Sequence, residues 1–267
     1  MVMLLAIDSG NTNIVFALFD GDVLKGEWRS ATVTERTADD YGIWLVQLIG
    51  MNGFNAADID ACIIATVVPG NMFALKTMCR RYFGCEALVV GDEGINLGIR
   101  IDLDHPEEVG ADRIVNAVAG HTLFPDKSLI IIDFGTATTF DVVDKDGNYS
   151  GGSIAPGINQ SLEALHQAAA KLPRVAIGRP KTVIGRGTVS AMKSGIFWGY
   201  VGLIEGLVRR IKEEAEHSDM WVIATGGLAP LFMEVTASID QLMPDLTLRG
   251  LLCIYRRNIN VCKKYEV

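Results

Sequence analysis

A chain of 267 residues is long enough to bury a large core and to form two domains of ordinary size. Its net charge of −8, from 24 basic and 32 acidic residues, and the lack of any basic run interleaved with aromatics disfavour a nucleic-acid surface. Five cysteines without a Cys-x-x-Cys pair or a zinc-compatible histidine spacing read as reduced thiols of a cytoplasmic protein, and no apolar run approaches a signal peptide or a membrane span.

Leu4 to Ile7, Ile14 to Phe19 and Leu24 to Trp28 predict three consecutive strands, the last two joined by the tight turn Asp20-Gly21-Asp22. The first corner of this meander is Asp8-Ser9-Gly10-Asn11-Thr12-Asn13. A turn of that composition suits a phosphate: glycine lets the backbone come close, hydroxyls and N–H groups donate to the oxygens, and the aspartate can hold a cation or its water. Thr37 then caps a helix with Asp39 and Asp40 in its first turn and Tyr41, Trp44, Leu45, Leu48 and Ile49 on one face. Ala61 to Val68 predicts a strand ended by Pro69-Gly70, and Met72 to Tyr82 a helix. The stretch Asn96 to Arg113 is irregular and charged, and a helix over Ile114 to His121 begins close to Asp112-Arg113. An aspartate there has two readings, a helix-start residue that satisfies free N–H groups or a carboxylate available for chemistry.

The strand-aspartate-glycine pattern is then written again. Ile130-Ile131-Ile132-Asp133 leads into Phe134-Gly135-Thr136-Ala137-Thr138, so that Asp133 matches Asp8 and Gly135 matches Gly10. Val222-Ile223-Ala224-Thr225 likewise echoes Ile63-Ile64-Ala65-Thr66. The chain therefore reads as a duplicated α/β unit, with halves 1–115 and 116–267 and the two aspartate turns facing each other across a nucleotide cleft. Between the echoes, Gly151-Gly152 through Pro156-Gly157 enters a helix expected over Ile158 to Leu172, as either a backbone approached by a ligand or a plain connection. Thr188 to His217 is the longest helical stretch and carries glycines at 195, 199, 202 and 206 along one face. Each costs about 1 kcal/mol relative to alanine in a helix, so a closely approaching helix is expected there. Trp221 to Thr225 forms the last clear strand, followed by Gly226-Gly227 and a helix over Ala229 to Thr236.

No Gly-x-x-x-x-Gly-Lys-Ser/Thr occurs, which argues against a P-loop kinase. Two aspartate turns together with Thr225-Gly226-Gly227 instead resemble the ATPase superfamily of actin, sugar kinases and heat-shock chaperones, which implies two duplicated ribonuclease H-like domains with a nucleotide cleft between them. Nearly the whole chain resembles type III pantothenate kinase. The residues that carry the resemblance are Asp8 to Asn13, Gly110 to Arg113 with Asn116, Asp133 to Thr138, Gly151-Gly152 through Pro156-Gly157, Gly187-Thr188 ahead of Ser194-Gly195, and Thr225 to Gly227.

That resemblance implies phosphorylation of pantothenate by ATP at its 4′-hydroxyl, the first step toward coenzyme A. It implies that Asp8, Ser9, Gly10, Asn11, Thr12, Asn13, Ile14, Val15 and Thr136 bind ATP, that Asp8 holds magnesium through water, and that Asp133 binds a monovalent cation, potassium or ammonium. Gly110, Ala111, Asp112, Arg113 and Thr188 are implied to bind pantothenate, with Asp112 as proton acceptor, in a homodimer without nucleic-acid or membrane partners. The chain departs from the family pattern at Leu103, where relatives often carry a tyrosine that touches pantothenate. A sugar-type kinase of the same superfamily and a Baf-like regulatory binding protein are the alternatives.

Overall fold

The computed structural model describes residues 2–168 and 172–259. In chain order it contains β1 (Met3–Ser9), β2 (Asn13–Asp20), β3 (Val23–Ala31), α1 (Ala38–Met51), β4 (Ala61–Thr66), α2 (Met72–Phe83), β5 (Leu88–Val89), β6 (Arg100–Ile101) and α3 (Ala111–Leu123). There follow β7 (Leu129–Phe134), β8 (Ala137–Val143), β9 (Asn148–Pro156), α4 (Ile158–Ala168), α5 (Thr188–Glu214), β10 (Trp221–Thr225), α6 (Ala229–Met233), β11 (Gln241–Leu242) and α7 (Leu246–Arg257).

The described residues form two compact units, one of 2–100, 104–123 and 246–259 and the other of 101–103 and 124–245 without 169–171. The first contains a five-stranded sheet ordered β3-β2-β1-β4-β5, in which β1 runs antiparallel to β2 and parallel to β4. The second contains a six-stranded sheet in which β9-β8-β7-β10-β11 repeats that order and those directions, with β6 added at the β9 edge. The sequence echoes thus mark corresponding strands, β1 with β7 and β4 with β10.

In the first unit Leu5, Ile7, Ile14, Phe16 and Leu18 of the sheet pack against Tyr41, Leu45 and Ile49 of α1 and Leu75, Met78 and Cys79 of α2. The expected cap of α1 is present: Thr37 Oγ1 accepts from the Asp40 N–H at 3.2 Å, while the Asp40 carboxylate accepts from the Thr37 N–H at 2.9 Å. Cys62, Cys79 and Cys85 are buried free thiols. In the second unit β7, β8 and β10 pack their apolar side chains against Phe197, Tyr200, Val201, Ile204 and Val208 of α5 and Phe232 of α6.

The expected division at 115/116 falls inside α3, which is one continuous helix, and the closing helix α7 belongs to the first unit. The packing is tight enough to explain why. A Cβ at Gly250 of α7 would lie 2.1 Å from the Val115 carbonyl oxygen, so only glycine lets the two helix backbones meet there. Thr247 Oγ1 donates to Asn116 Oδ1 at 2.8 Å, which gives Asn116 a packing role. At the far end the buried Asn258 side chain accepts from the Asn96 N–H at 2.8 Å and donates to the Asn96 oxygen at 2.9 Å.

Five other readings change or narrow. Leu172, the expected last residue of α4, lies outside a helix, and 169–171 fall outside the described residues. α5 ends at Glu214 rather than His217, and α6 is a five-residue helix that ends at Met233 rather than at Thr236. Gly151-Gly152 serves the sheet: Gly151 has φ +105 and faces Leu103 Cδ2, while a Cβ at Gly152 would sit 1.8 Å from the Phe140 oxygen. Among the described residues the glycine face of α5 has no close neighbour at three of its four glycines, since a Cβ at Gly195, Gly199 or Gly202 would meet nothing within 4 Å.

Candidate functional site

In the first unit β1 ends at Ser9 and β2 starts at Asn13, so Gly10, Asn11 and Thr12 form the turn, closed by the Gly10 N–H donating to the Asn13 oxygen at 3.0 Å. Asp8 stands at the end of the buried strand, between Val15 of β2 and Ala65 of β4. Asn11, Thr12 and Asn13 are exposed, Val15 is half-buried, and the side chains of Ser9 and Ile14 are fully buried.

Four residues that sequence reasoning missed hold this turn from beneath. Thr32, just past β3, donates its hydroxyl to the Gly10 oxygen at 2.6 Å and its N–H to the Thr12 oxygen at 3.0 Å. Asn71, 1% exposed, donates through Nδ2 to Ser9 Oγ at 3.3 Å. The Val67 N–H donates to the Ser9 oxygen at 3.1 Å, and Thr66 Oγ1 lies 3.3 Å from the same oxygen. Only the doubled meander and the repeated Ile-Ala-Thr pointed to any of them, through Thr66.

Val67 also brings the Gly110–Arg113 segment to this turn. A Cβ at Gly110 would lie 3.4 Å from Val67 Cγ1 and 2.6 Å from Asp112 Oδ1, so a glycine at 110 is what leaves the carboxylate its place. Asp112 is the second residue of α3, inside the first turn rather than at the cap, and its Oδ1 accepts from the Arg113 N–H at 2.8 Å. Ala111, Asp112 and Arg113 are half-buried. Burial pushes the Asp112 carboxyl above its ordinary range, and the Arg113 N–H and guanidinium oppose only part of that shift. A half-buried carboxylate with a raised pKa is a better proton acceptor than a surface one.

In the second unit the corresponding turn is one residue shorter. The Gly135 N–H donates to the Ala137 oxygen at 3.0 Å, and Asp133 lies between Thr139 of β8 and Thr225 of β10. Gly226, at φ +89, lies against it: a Cβ there would be 2.7 Å from Asp133 Oδ1 and equally close to the Phe134 backbone. The Gly157 N–H donates to the Thr136 oxygen at 3.1 Å, and a Cβ at Gly157 would come within 2.2 Å of that oxygen. Thr188 is exposed at the first position of α5.

Among the described residues no group of three or more histidine, cysteine, aspartate or glutamate side chains is arranged for a metal ion. No helix among the described residues is long and apolar enough to cross a membrane.

Two solved structures share the fold. A conserved putative Baf family transcriptional activator from Campylobacter jejuni is 18% identical with a TM-score of 0.61, over 96% of this chain and 99% of that one. A putative 2-dehydro-3-deoxygalactonokinase protein from Sinorhizobium meliloti is 12% identical with a TM-score of 0.57, over 99% of this chain and 100% of that one. At those identities they establish a shared two-sheet α/β fold and nothing about activity. Sequence similarity reaches further. The type III pantothenate kinase of Paramagnetospirillum magneticum (strain ATCC 700264 / AMB-1) is 72% identical over 256 residues, which covers 96% of this chain and 98% of that protein. The type III pantothenate kinase of Rhodospirillum rubrum is 64% identical over 256 residues, 96% of this chain and 99% of that protein. A family profile described as type III pantothenate kinase matches residues 4–210, a span that takes in both aspartate turns, Asp112 and Thr188, and the chain belongs to the type III pantothenate kinase family.

Proposed function

We infer that this chain transfers the γ-phosphoryl group of ATP to the primary 4′-hydroxyl of pantothenate, the first step of coenzyme A synthesis. The observation that carries the reading is the Asp112 carboxylate, half-buried with a raised pKa and joined through Gly110 and Val67 to the turn at Ser9. Residues Asp8 to Val15 and Thr136 take the phosphates of ATP, while Gly110 to Arg113 and Thr188 take pantothenate. Arg113 orients the substrate carboxylate, and Asp112 accepts the proton as the hydroxyl oxygen attacks phosphorus. Magnesium held by Asp8 through water and a monovalent cation, potassium or ammonium, beside Asp133 supply charge neutralisation. Phosphoryl transfer is governed by positioning and electrostatics, and these residues provide both.

The two like-ordered sheets favour a duplicated ribonuclease H-like origin for the units. The open glycine face of α5 favours a homodimer, because a second copy would supply the close neighbour that the described residues do not provide there. Sedimentation giving a stable monomer at micromolar concentration would remove that reading. The buried free thiols fit a reducing cytoplasm.

One assay tests the function: ADP release with pantothenate, glycerol or hexoses as acceptor, in potassium or sodium buffer, for the parent and for Asp112→Asn. Pantothenate-dependent turnover that rises with potassium is expected. The variant should lose about 10²- to 10⁴-fold in kcat with little change in KM for ATP. Because burial raises the Asp112 pKa, kcat/KM for pantothenate should fall as pH drops through a value above the ordinary carboxylate range. The same shift means that the ionised group weakens folding as pH rises, so Asp112→Asn should not lower the melting temperature at neutral pH. Turnover on a hexose would indicate a sugar-type kinase, and nucleotide binding without turnover a Baf-like regulatory role.

A further inference from the structure

A tyrosine stands in the core of the second unit where phenylalanine would fill the same space. Tyr200 of α5 is 5% exposed and stacks on Phe232 at 5.7 Å between ring centroids, so its ring needs no hydroxyl to pack. A buried phenol without partners would destabilise the fold, and this one has two. Its oxygen lies 2.9 Å from Thr138 Oγ1, and its O–H donates to the Pro156 carbonyl oxygen. Since the single phenolic proton goes to Pro156, Thr138 is the donor to Tyr200. Burial raises the Tyr200 pKa, which keeps that proton in place at neutral pH.

Both partners lie at the second turn. Thr138 follows Thr136 and Ala137, and Pro156 pairs with Ala137 at the last position of the β8–β9 ladder. Hydrogen-bonded and non-bonded pairs alternate in an antiparallel ladder, and because the Gly157 N–H donates to the Thr136 oxygen at 3.1 Å, the Ala137–Pro156 pair between is a non-bonded one. Proline therefore costs the ladder no bond there, and its carbonyl, turned away from β8, is taken up by the Tyr200 hydroxyl.

We propose that Tyr200 is a positioning residue for phosphoryl transfer, which through its hydroxyl holds Thr138 and Pro156 so that Thr136 is presented to the nucleotide. The inference rests on the reading of Thr136 as an ATP contact. It makes α5 part of the nucleotide machinery through a residue that touches neither substrate.

The test compares Tyr200→Phe, Thr138→Val, Thr138→Ser and Thr136→Ala, each as the full chain, by KM for ATP, KM for pantothenate and melting temperature. Tyr200→Phe and Thr138→Val should each raise KM for ATP by about 3- to 10-fold, the size of one lost hydrogen bond, and leave KM for pantothenate within about twofold. Thr138→Ser, which keeps the hydroxyl, should restore the parent value. Combining Tyr200→Phe with Thr138→Val should be no worse than the poorer single variant, since the two groups act in one chain. An unchanged KM for ATP in Tyr200→Phe, with Thr136→Ala impaired, would overturn the role of Tyr200 alone. If Thr136→Ala is unimpaired as well, the ATP contact itself is wrong and the inference falls with it. Should Tyr200→Phe not fold, Thr138→Val against Thr138→Ser decides: equal KM values for ATP would overturn the proposal.

Discussion

The two aspartate turns share a pattern, a strand pairing and a backbone hydrogen bond of 3.0 Å, yet they are held in opposite ways. The turn after β1 is supported by polar groups from three places: the Thr32 hydroxyl, the Asn71 amide and the Thr66 hydroxyl. The turn after β7 is held by close backbone approach, with Gly226 lying on Asp133 and Gly157 on the Thr136 oxygen, and with Tyr200 bracing the strands that flank it. A repeated motif thus need not repeat its support. The first turn can lose one hydrogen bond and keep its shape, whereas the second has no room for a single added carbon at two positions.

Gly226→Ala should break the comparison most severely. A left-handed backbone costs a non-glycine residue about 1–2 kcal/mol before any clash is counted, and here the new carbon also lands on Asp133 and on the Phe134 backbone. Calorimetry should show a melting temperature lower by several degrees, and kcat should fall by at least about tenfold. A variant that melts and turns over like the parent would mean that steric fit does not hold the second turn. Asn71→Ala is the intermediate case, since it leaves the buried Ser9 hydroxyl without that partner at a cost of about 1–3 kcal/mol. Chemical denaturation should register this loss while KM for ATP moves only a few-fold. The reverse result, a large KM change at unchanged stability, would make Asn71 part of the binding surface.

Gly10→Ala should affect stability least. Its Cβ would approach only the Asn13 oxygen, at 3.3 Å, and the backbone there is not left-handed. The contact is tight but the backbone admits a side chain, so under the proposed phosphate site the larger demand for glycine comes from the nucleotide. An unchanged melting temperature with a KM for ATP raised about tenfold or more would show that the methyl group meets the nucleotide. An unchanged KM would remove the phosphate from this turn.

Much of this arrangement was legible in the residues because it is written in local patterns. Aspartate at a strand end before glycine, Thr37 three residues ahead of Asp40, and the Ile-Ala-Thr echo each specify geometry within a few positions. The supports of the first turn were not legible, since Thr32 and Asn71 act across the fold and no periodicity marks a lone hydroxyl or amide. α7 had no counterpart among the expected elements, and its Gly250, which costs a helix about 1 kcal/mol relative to alanine, is explained only by the Val115 carbonyl against it. Gly151-Gly152 left a ligand and a plain connection both open in the sequence, and the fold shows the demand coming from Phe140 and Leu103. A glycine says that something comes close, and the fold decides what.

The return of α7 to the first unit has a consequence for how the protein is made. Synthesis delivers β1 and α3 before most of the second unit, but the helix that packs on both, and the Asn258 side chain that locks Asn96, leave the ribosome only after that unit. The second unit, whose residues all precede 246, can close first, while the first unit waits with one face of its sheet and the α3 face that meets Gly250 uncovered. Asp112 thus sits on a helix that gains its packing partner only after the whole second unit has been made. A ribosome that stalls before residue 246 releases a nascent chain with an exposed apolar surface and an unsupported Asp112, recognisable to chaperones and proteases before it can act on any substrate.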